Sequence, residues 1–422
     1  YYERPFLKKT RQLYAGQYRR VFSLDDIPAR HIRSLGLKQP IVYVDHHESH
    51  AAAGYYTSPF DTAAVLVMDG IGEWDTSTIW TGVNGKLTKL KTVKYPKSIG
   101  LFYSAFTHLL GLKPNEEEYI MMGMAAYGDP KRFLRTVLGY RNKNLHKGIQ
   151  DWPFSIQTEQ DQFDIASAVQ EVYEYELRQF LMTTRELTGL TNLVFMGGCA
   201  LNCLANRMLG NYFENIWIMP NPGDAGSSLG CAALVNGNRI NWRGPYLGTD
   251  IPGQYPIRNL LNDLLAGKIV GVASGRAEFG PRALGNRSLL ADPRGSTIKE
   301  TVNDIKQRQK FRPFAPVILA EMASVYFDMP AGWTNSPYMQ SVARCRLPEY
   351  FPAIVHHDGT SRVQTVEKDS PSGIRQLLEA WYKKTGCPML LNTSLNIKGE
   401  PMVNDRYDAD RFEQKYGVKV YS

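Results

Sequence analysis

Two histidines spaced four residues apart are the first feature of this sequence able to do chemistry. In VDHHESHAAAGYY, His46 and His50 would share one face of a helix, where one metal ion can take both imidazoles. His47 would point about 100° away from its neighbour and is the weaker ligand. Asp69 stands where the apolar run AAVLVM meets Gly70, a position from which a carboxylate reaches a cleft at the end of a sheet. Asp224 lies in NPGDAGSSLG, a glycine-rich loop ahead of an apolar helix. Two imidazoles with carboxylates suit Fe(II), Zn or Mn and leave positions open to substrate. The competing reading is a pair of hydrogen-bonded histidines with no ion.

A second concentration of chemistry is cationic. SGRAEFGPRALGNRSLLADPR carries Arg276, Arg282, Arg287 and Arg294 among Gly275, Gly280 and Gly285, and IKQRQKFRPFAP adds Lys306, Arg308, Lys310 and Arg312. Guanidinium forks bind phosphate through paired hydrogen bonds, and glycines let backbone donors join them, so a polyphosphate is expected here; a solvated basic face is the alternative. Near the end, LNTSLNIKGEP places Asn392, Thr393, Ser394 and Asn396 after the apolar PMLL. These neutral groups suit an amide or a nucleotide, or a plain turn. Cys199 and Cys203 have CxxxC spacing without an evident metal partner and are expected to be small buried residues rather than nucleophiles.

The elements that must hold these groups alternate between strand and helix. IVYVD (41–45) and AAVLVMD (63–69) are expected as strands, with HHESHAAAGYY as a helix between them. STIWTGV and KLTKLKTV flank Asn84-Gly85, the dipeptide of a two-residue hairpin turn. Ile165, Ala168, Val169, Val172, Leu177 and Leu181 recur at helical spacing. NLVFMGG then reads as a strand entering Gly197-Gly198, followed by a helix over CALNCLANRML; glycines ahead of a helix N-terminus let backbone N–H groups approach phosphate.

A chain of 422 residues exceeds the roughly 250–300 that one core supports, so two domains are expected. The Gly, Pro and Asn-rich NRINWRGPYLGTDIPGQYP places their boundary between 1–245 and 246–422. Hydrophobic content of 43% with 21% charged residues is that of a globular protein. No apolar run reaches the roughly 18 residues of a membrane span. The excess of 49 Lys+Arg over 41 Asp+Glu, a net +8, favours anionic ligands or nucleic acid. Five cysteines without a paired CxxC motif point to a reducing, cytoplasmic setting.

Taken in order, VDHHESHAAAGYYTSPFDTAAVLVMDG, MMGMAAYG, GGCALNCLAN, NPGDAGSSLG, GRAEFGPRALGNRSLLADPR, FRPFAPV, HHDGTSRVQTV and LLNTSLNIKGEP resemble the successive motifs of the NodU/CmcH-type carbamoyltransferases, over nearly the whole chain. Those enzymes decorate nodulation factors, cephamycins, aminoglycosides and ansamycins. The resemblance implies an α/β architecture: an actin-like domain of the threonylcarbamoyl-transferring type, then a YrdC-like domain akin to threonylcarbamoyl-adenylate synthases. It implies that the second domain makes carbamoyl adenylate from carbamoyl phosphate and ATP, and that the first passes the carbamoyl group to an alcohol.

Position by position, the resemblance gives His46, His50, Asp69 and Asp224 to the metal, with iron the usual ion, and Gly197, Gly198 and Asn202 to the adenylate in the transfer site. It gives Arg282, Lys306, Arg312, Arg362, Ser394 and Asn396 to carbamoyl phosphate and ATP, with Mg²⁺ expected beside them; His46, His50, Arg282 and Lys306 are the expected catalytic groups. Two departures stand out. The family pattern opens with a strand and a His-Asp-Ser motif ahead of the segment resembling YYERPFLKK, so an acceptor-side histidine and part of the first sheet are expected outside this sequence. Ile120 stands where many relatives have Lys. A nucleic-acid hydroxyl is the second-ranked acceptor, on the +8 charge, without the aromatic and basic interleaving of base-stacking modules. A non-catalytic nucleotide-binding protein ranks third, and a homodimer is compatible with all three readings.

Overall fold

The structure, a computed structural model, describes residues 27–422 apart from Asn238 and Ser296; the segment YYERPFLKK lies outside the described residues. Two compact units emerge. Of the described residues, the first takes 27–121, Gly128–Leu201 and Tyr212–Trp242; the second takes Met122–Tyr127, Asn202–Asn211 and Arg243–Ser422.

In the first unit, β1 (Thr62–Gly72), β2 (Asp75–Val83), β3 (Lys86–Lys94), β4 (Asn192–Met196) and β5 (Asn215–Trp217) form a mixed sheet in the order β3-β2-β1-β4-β5. β1 pairs antiparallel with β2 and parallel with β4. Its residues Ala63 to Met68 are fully buried, as a central strand covered on both faces requires. The β2–β3 hairpin turns at Asn84 and Gly85, with φ of 48° and 81°, the left-handed pair that the Asn-Gly dipeptide favours. β3 ends the sheet and is studded with Lys86, Lys89, Lys91 and Lys94, charges that discourage further strand pairing at an edge.

Four helices accompany this sheet: α1 (His46–Thr57), α2 (Ile99–Leu109), α3 (Glu159–Thr188) and α4 (Asp224–Asn236). α3 starts at a capping box, with Thr158 Oγ accepting from the Asp161 N–H and the Asp161 carboxylate accepting from the Thr158 N–H. It stops at Gly189 in the left-handed conformation. α4, rich in small residues, lies against α1 so closely that a Cβ at Gly230 would stand 1.9 Å from the Ser49 carbonyl oxygen and 2.6 Å from the Ala53 nitrogen. Two expectations fail here. IVYVD is not a strand, and Val42 is 62% exposed; β propensity needs a paired neighbour, and among the described residues no ladder forms at this segment. CALNCLANRML is broken into a 3-10 turn, a four-residue helix at Cys203–Asn206 and a second 3-10 turn, so no long helix follows the double glycine.

The second unit's strands are β6 (Tyr246–Ile251), β7 (Val270–Ala273), β8 (Gly275–Glu278), β9 (Arg287–Ala291), β10 (Ala315–Leu319), β11 (Phe327–Asp328), β12 (Val342–Cys345), β13 (Thr360–Arg362), β14 (Gln364–Val366), β15 (Met389–Ser394) and β16 (Val420–Tyr421). Six of them form a sheet in the order β14-β10-β15-β9-β7-β16; β11-β12-β13 and β6-β8 form two smaller ones. Side chains alternate strictly across the large sheet. Val270, Val272, Leu290, Val317, Leu319 and Leu390 pack with α5 (Ile257–Leu265) and, after α6 (Ile298–Lys306), with α7 (Ile374–Thr385), through Leu260, Leu264, Leu377 and Trp381. Ala273, Leu289, Ala291, Ile318, Met389 and Leu391 enter a second core, with Val302 of α6 and with Ala409 and Phe412 of α8 (Arg406–Tyr416). A period of two with both faces apolar marks a sheet between two layers.

No helix among the described residues is long and apolar enough to cross a membrane. Gly230→Ala should force α4 away from α1 and lower stability by about 1–3 kcal/mol, as overpacking does. Thermal denaturation followed by circular dichroism checks this; an unchanged melting temperature would mean that the two helices are not in contact at this point.

Candidate functional site

α1 delivers His46 and His50 to the same point from successive turns, and both rings are buried. β1 delivers Asp69 from a bulge: pairing with β2 lapses between Met68 and Gly72, which turns the carboxylate out of the ladder. α4 delivers Asp224 from its first turn, with the side chain 67% open to solvent. His46 Nε2 lies 2.8 Å from Asp69 Oδ2 and 3.3 Å from Asp224 Oδ1; His50 Nε2 lies 3.3 Å and 3.2 Å from the same two oxygens. The two Nε2 atoms are 3.0 Å apart. Ligand bonds of about 2.0–2.2 Å leave neighbouring donor atoms roughly 3 Å from one another. One ligand atom from each of the four residues lies within 4.8 Å of the rest, so this donor set fits a single divalent ion.

Electrostatics agree with geometry. Burial pushes His46 down, but the Asp224 and Asp69 carboxylates outweigh it and hold the imidazole up at about 9. His50 is raised by the same balance. Asp69 is held well below the usual carboxylate range, burial being outweighed by the two imidazoles, and Asp224 is lowered by its bonds to them. His47 behaves differently. Its ring is buried and pushed down to about 3. Thr78 Oγ1 accepts from the Trp80 indole N–H at 2.8 Å and is hydrogen-bonded to His47 Nδ1 at 3.0 Å. That neutral ring takes no part in the donor set.

The glycine pair serves Asp69 directly. A Cβ at Gly197, where φ is +92°, would stand 2.0 Å from the Met68 carbonyl oxygen, so only glycine lets the end of β4 close onto the end of β1. Asp69 Oδ1 accepts from the Gly70 N–H at 2.7 Å and the Gly198 N–H at 3.4 Å, which leaves Oδ2 for the histidines. Asn202 accepts from the Ala205 N–H and so starts the short helix at Cys203. Burial pushes the Cys199 thiol up, which leaves it without a nucleophile's thiolate.

In the second unit, Lys306 at the end of α6 reaches Ser394 and Asn396 at and beyond the end of β15. Its Nζ donates to the Ser394 carbonyl at 2.7 Å, to the Asn396 carbonyl at 3.0 Å and to Asn396 Oδ1. Burial, helped by Arg308 and Arg312, pushes this ammonium down to about 7. Ser394 and Asn396 also line a cavity of about 510 Å³, together with Thr249, Glu278, Pro281 and Asn404. Arg282 follows Pro281 directly, and Arg362 sits on β13 opposite Val342 of β12. Two of the arginines expected at phosphate are engaged elsewhere. Arg287 is fully buried and spreads its guanidinium over the carbonyls of Ser274, Gly275, Asn286, Thr249 and Asn404. Arg294 pairs with Asp292. Glu278 drew no attention as sequence, although it is the one acid inside SGRAEFGPRALGNR; its Oε1 accepts from the backbone N–H groups of Leu284, Asn286 and Arg287.

Comparison with known proteins bears on the chain as a whole. Residues 7–233 match the family model described as the carbamoyltransferase N-terminus, and residues 261–421 match the carbamoyltransferase C-terminus. The protein sll1178 of Synechocystis sp. is 36% identical over 88% of this chain and 73% of its own length. Nodulation protein NolO of Bradyrhizobium diazoefficiens is 34% identical over 87% of this chain and 75% of its own. The 3'-hydroxymethylcephem-O-carbamoyltransferase of Amycolatopsis lactamdurans is 34% identical over 56% of this chain and 48% of its own. Full-length HypF, solved in a phosphate- and nucleotide-bound form, is 14% identical over 48% of this chain and 37% of its own, with a TM-score of 0.28, too partial an overlap to argue from. With both halves matched in order by models of one family, and with relatives of that family aligned along most of its length, the chain belongs to the NodU/CmcH-type carbamoyltransferases and is a carbamoyl-transferring enzyme.

Proposed function

We propose that this enzyme is an ATP-dependent O-carbamoyltransferase with two half-reactions in one chain. The 246–422 part, read as YrdC-like, forms carbamoyl adenylate from carbamoyl phosphate, ATP and water: carbamoyl phosphate is cleaved to carbamate and phosphate, and a carbamate oxygen then attacks the α-phosphorus of ATP with release of pyrophosphate. The 1–245 part, read as actin-like, passes the carbamoyl group to a hydroxyl of a small-molecule, sugar or natural-product acceptor. The observation that carries this reading is the convergence of His46, His50, Asp69 and Asp224 on one point.

In the activating half, two anionic substrates repel each other, so their encounter needs fixed positive charge. Arg282, Lys306, Arg312 and Arg362 are proposed to supply it, with Mg²⁺ as the counter-ion of the triphosphate. Lys306 is suited to the task because its ammonium is already aimed at a fixed point by three oxygen acceptors. Ser394 and Asn396 hold that ammonium and line the cavity.

In the transfer half, Gly197, Gly198 and Asn202 are proposed to hold the adenylate. His46, His50, Asp69 and Asp224 would hold a divalent ion, with Fe(II) proposed. That ion, when bound, supplies a Lewis acid for the carbamoyl oxygen. The acceptor hydroxyl oxygen attacks the carbamoyl carbon, the bond from that carbon to the AMP phosphate oxygen breaks so that AMP leaves, and the hydroxyl proton passes to solvent. Burial of the two histidines, with Asp69 only 13% exposed, keeps their separations fixed, while the open side of Asp224 leaves room for the reacting groups.

His46→Ala should lower product formation by more than about 100-fold, since losing even a partner behind a metal ligand costs 10–100-fold, and should lower bound metal in parallel. Carbamoyl-phosphate-dependent pyrophosphate release should remain. Assaying product, pyrophosphate and metal content separately decides the matter; normal product from this variant removes the metal from the mechanism.

Lys306 generates a pH prediction. With its ammonium held at about 7, the free enzyme carries this charge below neutrality and loses it as pH rises. The kcat/KM for pyrophosphate release should therefore fall on the alkaline side of pH 7, because kcat/KM reports the free enzyme. Lys306→Arg should abolish that limb while retaining activity, whereas Lys306→Met should be inactive across the range. A wild-type profile flat from pH 6 to about 9 would mean that this ammonium does not serve the anions.

A further inference from the structure

A buried pair of side-chain amides ties together the parts of the second unit that carry Arg282, Lys306 and Arg362. Gln364 of β14 is 2% exposed and Asn392 of β15 is 1% exposed. Their strands are not neighbours, since β10 runs between them. On β10, Ala315 pairs with Asn392 and Val317 with Gln364, so both amides stand on one face of the sheet. There Asn392 Nδ2 donates to Gln364 Oε1 at 2.7 Å.

Each amide also holds a backbone carbonyl of the GPRALGN loop. Asn392 Nδ2 donates to the Ala283 carbonyl at 3.0 Å, and Gln364 Nε2 donates to the Leu284 carbonyl at 2.9 Å. A carbonyl only accepts, so these two contacts fix which way both amides face. The rest of the loop is held in the same manner. The Tyr246 hydroxyl donates to the Leu284 carbonyl at 3.0 Å and the Tyr255 hydroxyl to the Gly285 carbonyl at 2.8 Å. Glu278 Oε1 accepts from the N–H groups of Leu284, Asn286 and Arg287, and Ser288 Oγ accepts from that of Gly285. Every carbonyl from Ala283 to Gly285 and every N–H from Leu284 to Arg287 is therefore bound to a side chain.

The position of the amide pair gives this immobility a use. Pro281, directly before Arg282, lines the cavity together with Ser394 and Asn396. Ala283 directly follows Arg282, so Asn392 fixes the peptide that carries this guanidinium. Ser394 is the next position on the same face of β15, and its carbonyl accepts from Lys306 Nζ at 2.7 Å. Gln364 opens β14 just after Arg362 closes β13. Leu290, Val317 and Leu390 occupy the same face of the sheet and pack against α5 and α7. Apolar packing of that kind sets no direction, whereas a hydrogen bond fixes both distance and angle.

We propose that the Gln364–Asn392 pair is a positioning device of the activating half-reaction: it fixes the Arg282 peptide against β14 and β15, so that Arg282, Lys306 and Arg362 meet the phosphates in one geometry. The assignment rests on the activating half-reaction proposed above and adds two residues that act through Arg282. Misplacing a group far from the chemistry by about 1 Å can cost about 100-fold in rate, which makes such a crosspiece worth its buried polar atoms.

Asn392→Leu tests this, because it nearly keeps the volume and removes the donor to Ala283. All three cations keep their charge in this variant, so the anions still bind while their alignment suffers. In pyrophosphate-release assays on the full chain, kcat should fall about tenfold or more, with the KM for ATP within about threefold. A smaller share of folded enzyme would mimic that fall, so Arg282 supplies the second readout. In an Arg282→Lys background, which keeps the charge but not the guanidinium fork, Asn392→Leu should cost less than about twofold, since residues acting through one group are not additive. A purely structural role would cost the same in both backgrounds.

An unchanged kcat in folded Asn392→Leu enzyme, or a full repeat of the fall in the Arg282→Lys background, overturns the assignment alone. Should Asn392→Leu fail to fold, Gln364→Met leaves the Leu284 carbonyl its Tyr246 hydroxyl and is read in the same two backgrounds by the same criteria. Wild-type enzyme that releases no pyrophosphate from ATP and carbamoyl phosphate overturns the activating reaction, and this assignment with it.

Discussion

Two imidazole nitrogens held 3.0 Å apart between two carboxylate oxygens form an arrangement that only positive charge can stabilise. Lone pairs facing each other at that distance repel, so either protons or a cation must lie among the four donors. The raised histidines and lowered aspartates express this demand in the language of protonation. Much of the first unit's local construction serves the same demand. The bulge in β1, the collapse of the Gly197 turn onto Met68 and the small-residue face between α1 and α4 each remove freedom from one ligand.

The second unit meets the opposite problem with the opposite means. Here a cation is desolvated among carbonyls, and its neighbours Arg308 and Arg312 push its proton off rather than holding it. Lys306 is thereby brought down to about 7, so that it changes charge near neutral pH. Glu278 supplies rigidity on another side of the same cavity by gathering three backbone N–H groups onto one oxygen. Two titratable residues thus shape this site through backbone contacts that no pairing of charged side chains would reveal.

Local features of the sequence carried over into structure where physics is local. The four-residue spacing of His46 and His50 needs only a helix, and the Asn84-Gly85 hairpin only two residues that tolerate positive φ. The alternation in β7, β9, β10 and β15 is likewise short-ranged. What failed depended on neighbours: Ile41 to Asp45 has strand composition without a ladder, and the stretch after Gly198 has helix formers but breaks at Asn202, whose side chain starts a new short helix. Arg287 looked like a phosphate ligand because it stands among arginines and glycines, yet burial commits it to five carbonyls. The meeting of His50 with Asp224, separated by 174 residues, was legible only through the motifs of a family, since no periodicity spans that distance.

Two short segments from the N-terminal part of the sequence belong to the second unit. Met122–Tyr127 and Asn202–Asn211 leave the first unit to be built into the second, where the Trp333 indole donates to the Asn206 carbonyl, the Asn206 amide donates to the Gln340 carbonyl, and the Tyr127 hydroxyl donates to the Phe311 carbonyl. A C-terminal half expressed by itself from Arg243 onward would lack both insertions and leave a buried tryptophan and two carbonyl groups without their complements. The segments of the two units therefore alternate along the gene, and no single cut separates one unit from the other.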